Sequence, residues 1–175
     1  MVKSTLPINY QSLEILKSLK FENIDKLIEN RNGKKIELND PLFMQSLGAT
    51  LQSLCESRKG YGISAVLVGY NADFIVVSND GKNFRYFYDI NYEKIGEFAQ
   101  SLEACISSFD EMQRPRRFLC YRSQQIRVRG YELVNSNLQE VDEEFFGILS
   151  AVIQHECENL VYNFLPNYGI EVQVN

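Results

Sequence analysis

The side chains best suited to chemistry surround the only histidine of this 175-residue chain. Residues 154–159 read QHECEN, so Glu156 follows His155 directly and Asn159 stands four positions after the histidine. Positions four apart lie on one face of a helix. The pattern His-Glu-x-x-His uses this spacing to direct two imidazoles at one metal ion, while the Glu moves a proton. Because Asn159 occupies the second imidazole position, the segment predicts a hydrolase helix with one metal ligand replaced.

Two earlier segments have a composition that fits the same kind of site. Residues 60–69 read GYGISAVLVG, a glycine-rich bend leading into an apolar run, and residues 103–107 read EACIS, which places a cysteine in a polar frame. In this order, the three segments resemble the three motifs of the peptide deformylase family. The resemblance covers roughly residues 40–165. It implies an α+β fold in which small antiparallel sheets pack around a central helix that bears His155 and Glu156.

The resemblance also implies a metal site. Deformylases hold a divalent metal through a cysteine, two histidines and a water, and the activated water attacks the formyl carbon of N-formylmethionyl peptides. The matching ligand positions are Cys105, His155 and Asn159, for Fe²⁺, Zn²⁺ or Ni²⁺, and Glu156 matches the general acid/base. An amide oxygen binds these metals more weakly than imidazole does, so we expect reduced metal occupancy. Glu158, also near this helix face, is left open as a substitute ligand.

A second replacement concerns stabilisation of the oxyanion. Leu67 lies where the family has a glutamine that donates a hydrogen bond to the developing charge, whereas the backbone N–H of Ile106, the other donor by resemblance, does not depend on a side chain. Losing one such donor typically costs roughly 10²–10³ in turnover. We therefore expect the deformylase reaction to be impaired or lost.

The predicted substrate pocket is apolar and narrowed. Positions three, four and seven before His155 share its helix face, and by resemblance they line the pocket for the methionine side chain. Tyr61 and Ala104 are bulkier than the residues usual in the family, so they narrow the cleft. The predicted pocket residues are Tyr61, Gly62, Ala104, Ile148, Ala151 and Val152.

Each of these residues also has an ordinary structural interpretation. Without the other motifs, His155 would be a hydrogen-bonded boundary residue and Cys105 a small buried hydrophobe. An ion pair between Glu103 and Arg122 would orient the Cys105 loop, or would be a weak exposed pair. Three functions stay open: an impaired deformylase, a non-catalytic binder of short peptides or acylated N-termini, and a metal-free Cys105–His155 thiol hydrolase.

Composition bounds the class of protein. With 175 residues, of which 45% are hydrophobic, the chain can bury one core, so we expect a single deformylase-like domain over residues 1–175 and a monomer. Four cysteines without an apolar N-terminal run predict reduced thiols and a cytoplasmic location, and no membrane span is expected. The net charge of −5 argues against broad nucleic-acid binding. The predicted partner is an N-formylated or other short peptide.

The pattern of apolar residues, caps and turns predicts the elements that position these groups. A helix begins after the cap Asp40 with Pro41 in its first turn and ends near residues 58–60. Strands are predicted over 63–68, 74–78, 84–90, 118–122, 125–134 and 170–174, with Cys105 on or beside a strand. The final helix is predicted from a cap at Asp142 to about Leu165, where Pro166 stops it.

Overall fold

The computed structural model describes residues 16, 18–22, 27, 35–106, 108–109 and 114–173. Along this part of the chain, the elements are α1 (Pro41–Ser57), β1 (Gly62–Ser64), a 3₁₀ helix (Ala65–Val68), β2 (Phe74–Ser78), β3 (Phe84–Lys94), β4 (Phe98–Glu103), β5 (Arg117–Ser123), β6 (Gln125–Val134), β7 (Asn137–Phe146), α2 (Gly147–Leu160), α3 (Leu165–Tyr168) and β8 (Ile170–Val172).

The described strands form two antiparallel sheets around α2. The larger sheet has the order β1-β2-β3-β6-β7 and the smaller one β4-β5-β8. Helix α2 packs against β1 and β2 of the larger sheet and against β5 of the smaller sheet. The predicted α+β fold, with antiparallel sheets around a central helix that bears His155, is therefore confirmed.

The strand β2 explains why the core has two parts. Phe74 and Val76 pack into one hydrophobic cluster with α1, whereas Ile75 and Val77 pack into a second cluster with Ile153 of α2. A strand with both faces covered reads as an uninterrupted apolar run, which is what residues 74–77 show. Among the described helices, none combines the length and apolar character needed to cross a membrane.

Helix α1 begins and ends as predicted. The Asp40 carboxylate accepts a hydrogen bond from the Leu42 N–H at 2.9 Å, and Pro41 fits the first turn because its missing N–H would have no partner there. Leu47 and Leu51 are fully buried on the inner face. Burying each side chain of this size contributes about 1.5–3 kcal/mol. The helix thus forms a fixed base for the glycine-rich bend that follows it.

The predicted start of the last helix at Asp142 is wrong, because β7 runs through this position. Asp142 pairs with Arg129 in the ladder between β6 and β7, and its carboxylate accepts from Arg127 Nε at 2.5 Å. Val141 and Phe145 are buried while the acidic residues between them are exposed, as expected for a strand with one covered face. The segment contains an aspartate that resembles a helix cap, but cross-strand ion pairs stabilise it as a strand. Helix α2 begins at Gly147.

The predicted end of that helix at Leu165 is also wrong. Helix α2 ends at Leu160, and Tyr162 has a positive φ of 57°, which turns the chain out of the helix. Pro166 lies in the first turn of α3 instead of ending α2. The terminal strand is confirmed over Ile170–Val172, whereas Val174 lies outside the described residues.

The strand predicted over 63–68 is correct only for its first two residues. After β1 the chain enters the 3₁₀ helix, and Gly69 ends that helix with a φ of 75°. Side chains in this turn face the core, so Leu67 is fully buried. Strand β3 extends to Lys94, beyond the predicted end at residue 90.

Candidate functional site

A cleft of about 650 Å³ lies between one face of α2, the bend before β1 and the segment after β4. A cavity of this size suits a small ligand or a few residues of a peptide. It brings together all of the predicted site residues except two. Those lining the cleft are Tyr61, Gly62, Ala104, Cys105, Ile106, Ile148, Ala151, Val152, His155 and Glu156.

His155 lies at the base of the cleft, where Glu103 and Cys105 hold its ring. Its Nδ1 is 2.9 Å from Glu103 Oε2, and since an ionised carboxylate only accepts, Nδ1 is the donor. The ring also interacts with the Cys105 side chain. Burial opposes the charged imidazolium, but the hydrogen bonds with Cys105 and Glu103 outweigh it and raise the pKa of His155 well above its ordinary value.

Arg122 fixes Glu103 from behind. Its Nε and Nη2 donate to the two Glu103 oxygens, each at 2.8 Å, and its Nη1 donates to Glu158 Oε2 at 2.6 Å. The Tyr168 hydroxyl accepts from Nη2 at 2.5 Å, so residues of β4, β5, α2 and α3 meet at one guanidinium. Burial alone would raise the pKa of Glu103, but the hydrogen bonds from Arg122 and His155 hold it well below its usual range. The predicted Glu103–Arg122 pair is confirmed.

Glu156 reaches the cleft beside His155 and is tied to Asn159. The Asn159 Nδ2 donates to Glu156 Oε2 at 3.1 Å. Burial raises the pKa of Glu156, while His155, Asn159 and the nearby Ser64 hydroxyl partly oppose that rise. Ser64 Oγ is buried without a hydrogen bond of good geometry to any described residue. A carboxyl group with a raised pKa, next to an imidazole, is suited to accepting and returning a proton.

The side chains at this position do not fit the tightly held three-ligand metal centre that the resemblance implies. Cys105 and His155 offer the thiolate and imidazole donors. Asn159 is not among the described residues that line the cleft. Its side-chain amide donates a hydrogen bond to Glu156. Within the described ranges, no group of three or more His, Cys, Asp or Glu side chains could hold a metal ion. The substitute ligand Glu158 is bound to Arg122. Asn159 as the third ligand stays a prediction.

Leu67 lies apart from the cleft. Its side chain packs into the core cluster that contains Met44, Leu47 and Phe74. Ile106 lines the cleft, and its backbone N–H makes no hydrogen bond to another described residue. The role of this N–H as a donor to a developing oxyanion stays a prediction, and the Leu67 side chain is fully buried in the core.

The upper wall of the cleft is apolar and tight. A methyl group added at Gly62 would lie 2.6 Å from Val152 Cγ1 and 2.9 Å from Glu156 Oε1, so only glycine allows this approach. Ile148 is 59% exposed, which is high for a large apolar residue, and Tyr61 is 47% exposed. These side chains present apolar surface toward the opening, as a site for an apolar substrate side chain requires.

Sequence reasoning missed the residues at the mouth of the cleft. Arg58, Lys59 and Arg117 line it, as do Phe109 and Pro115. Arg58 and Lys59 directly precede the glycine-rich bend, so their position in the chain could have signalled them. Arg117 does not lie next to any of the three motifs in the sequence, so its position in the chain gave no signal.

Replacing Arg122 with methionine should destabilise the fold by about 3 kcal/mol, because it leaves the partly buried carboxylates of Glu103 and Glu158 without the guanidinium that pairs with both. Urea unfolding measures this. The control is Arg116→Met, which breaks a comparable two-bond pair with the more exposed Glu171 and should cost at most about 1 kcal/mol. Adding Glu103→Gln to Arg122→Met should recover part of the loss. Equal effects of the two arginine substitutions would contradict the assignment of Arg122 as the anchor of the site.

Comparison with known proteins agrees with this geometry. The sequence model of the family described as Polypeptide deformylase matches residues 23–161. The chain is 26% identical over 141 residues to a peptide deformylase of Pseudomonas aeruginosa, and the aligned region covers 77% of each protein. Its fold is similar to that of a Thermotoga maritima peptide deformylase, with a TM-score of 0.71, 20% identity and coverage of 86% of this chain and 96% of that one. A probable peptide deformylase of Synechococcus phage S-SSM7 gives a TM-score of 0.71, 22% identity and coverage of 86% and 99%. Since the family match spans most of its length, the chain belongs to the polypeptide deformylase family.

Proposed function

We propose that this protein binds the N-terminal end of short, N-acylated peptides in the cleft and acts on the acyl amide as a deformylase-like hydrolase of much reduced activity. The observation that supports this most directly is that the apolar wall and the polar base remain in one cleft. Ile148 and Val152 lie on the same helix face as His155 and Glu156. A methionine-like side chain against that wall would place the N-acyl group close to the base.

The residues at the base have distinct tasks in this proposal. The Ile106 N–H is free to donate to the carbonyl oxygen of the acyl group, which orients the carbonyl and favours charge on it. Glu156 exchanges the proton of the attacking water. Glu103 holds the His155 ring in a single orientation, so the ring keeps that orientation when the peptide leaves.

Two replacements account for the reduced rate. Asn159 stands at the third ligand position and donates a hydrogen bond to Glu156. It therefore occupies an oxygen of the carboxyl group that would exchange a proton with the attacking water. Leu67 is packed in the core, so no side chain from that position donates to the oxyanion. Loss of one such donor costs roughly 10²–10³ in turnover.

Asn159→His should raise both the metal content of the purified protein and its turnover of formyl-Met-Ala-Ser by at least about tenfold. A second imidazole would add a third protein ligand to Cys105 and His155, and even outer contacts of metal ligands change affinity by roughly 10–100-fold. Elemental analysis of protein prepared without oxygen or chelators and a formate-release assay measure the two quantities. Leu67→Gln tests the second loss, although it places an amide in the core.

The matched control is Asn163→His, which adds the same side chain at an exposed position beyond α2. It should change neither metal content nor turnover. If Asn159→His gains metal but not turnover, while wild-type protein binds the peptide, the function is peptide binding without hydrolysis. If the wild type neither binds nor hydrolyses the peptide, the proposed function is wrong.

A second candidate, hydrolysis by the thiol of Cys105, is favoured by the way Glu103, His155 and Cys105 follow one another at the base. The sulfur would attack the acyl carbon, the protonated His155 would donate its proton to the leaving amine, and the ring would take up the thiol proton in exchange, so that a C–S bond replaces the C–N bond. Water would then cleave the thioester and release the acid. Glu103 would keep the ring oriented in both steps.

Alkylation rates test this candidate. Burial raises the pKa of Cys55 and of Cys120 to about 12 each, and it raises the pKa of Cys157 further, so these thiols should react slowly. Iodoacetamide followed by mass spectrometry should label Cys105 at least about tenfold faster than the other three, and Glu103→Gln should reduce that advantage. Labelling of Cys105 no faster than Cys55 would exclude a thiol nucleophile.

A further inference from the structure

The mouth of the cleft is positively charged although the chain carries a net charge of −5. Arg58, Lys59 and Arg117 line it and are exposed. Among the residues that the structure describes, the carboxylates that line this cleft are Glu103 and Glu156, both at its base, and Glu103 is paired with Arg122. The described charged residues at the mouth itself are therefore the three cations.

These three cations differ from five other arginines among the described residues. Arg85, Arg116, Arg122, Arg127 and Arg129 each face a carboxylate within 4 Å. Neither Arg58, Lys59 nor Arg117 forms an ion pair with any residue that the structure describes. Exposed cations around a concave site, without internal partners, are available to a charged ligand.

The guanidinium of Arg58 is held in place by aromatic rings. Its Cζ lies 4.8 Å from the ring centroid of Phe109 and 5.3 Å from that of Phe21. These cation–π contacts restrain the guanidinium, which forms no ion pair with a described residue and can bind a carboxylate with two parallel hydrogen bonds. Phe109 lines the same cleft, so the restrained guanidinium belongs to its mouth.

We propose that this mouth, formed by Arg58, Lys59 and Arg117, binds a carboxylate of the peptide, so that the preferred ligands are acidic short peptides. The inference rests on the proposed function, because it assumes that the peptide places its N-terminal residue against the apolar wall. An extended chain advances about 3.3 Å per residue, so the second or third residue would reach the mouth of a cleft of this size. The carboxylate could be the C-terminus of a very short peptide or the side chain of an Asp or Glu.

Calorimetry with wild-type protein and four peptides tests the proposal. They are formyl-Met-Ala-Ser with a free C-terminus, the same peptide as its C-terminal amide, formyl-Met-Asp-Ser amide and formyl-Met-Lys-Ser amide. At low salt, the free acid, the Asp peptide or both should bind roughly fivefold or more tightly than the neutral amide, and the Lys peptide more weakly. The preference should shrink at high salt, because mobile ions screen exposed charges. The first and third peptides identify which carboxylate is bound.

Variants assign the effect to the mouth. Arg58→Gln, Lys59→Gln and Arg117→Gln should each reduce the preference for the acidic peptide, and the triple variant should abolish it. Arg58→Lys should keep only part of it, because lysine keeps the charge but cannot form two parallel hydrogen bonds to a carboxylate. The control Lys94→Gln removes an exposed cation that does not line the cleft, and should leave the preference unchanged. Equal binding of acidic and neutral peptides would overturn this inference and leave the proposed function intact, whereas binding of no peptide would overturn both.

Discussion

The buried guanidinium of Arg122 is the interaction on which the site depends. It is 4% exposed and neutralises Glu103 and Glu158, which come from a strand of the smaller sheet and from the central helix. A buried cluster of ion pairs contributes little net stability compared with apolar packing, but removing one charged residue leaves the charges of the others without a partner. Its role is therefore geometric. It fixes the Glu103 carboxylate, that carboxylate fixes the His155 ring, and the ring faces Cys105.

The residues at positions 67 and 159 can differ from those usual in the family because they take no part in this network. Asn159 and Leu67 both lie outside the chain of contacts from Arg122 to His155. Asn159 satisfies its amide through Glu156, and Leu67 contributes apolar surface to the core, so neither leaves a buried polar group without a partner. The fold therefore keeps an organised base while the donor set for a metal is incomplete.

The sequence predicted the fold and most of the site, and its errors have identifiable causes. The three motifs placed Cys105, His155 and the apolar face of α2 in one cleft, and the Glu103–Arg122 pair followed from their matched positions. The cap assigned to Asp142 was wrong because an aspartate before an apolar segment is equally suited to pairing with Arg127 across a hairpin, and only the register of β6 and β7 decides between the two. The burial of Leu67 depends on a 3₁₀ turn that an apolar run does not reveal.

The mouth as a whole could not be predicted from local sequence, since Arg117 is far in the chain from Arg58 and Lys59 and only the fold brings them to one cleft. The ligand that we propose matches three regions of the cleft: an apolar wall for a first side chain, a polar base for an acyl group and a cationic opening for a carboxylate. In a chain of net charge −5, such an opening would attract an anionic peptide locally.

The most direct test of this account is nitrogen NMR of the His155 imidazole in metal-free protein, titrated with formyl-Met-Ala-Ser. The chain contains one histidine, so the ring signals need no assignment. The account predicts that both ring nitrogen signals move and saturate as the peptide binds, because the acyl group comes to lie against a ring already held by Glu103. Ring signals that stay unchanged at millimolar peptide would contradict the claim that this cleft binds the peptide.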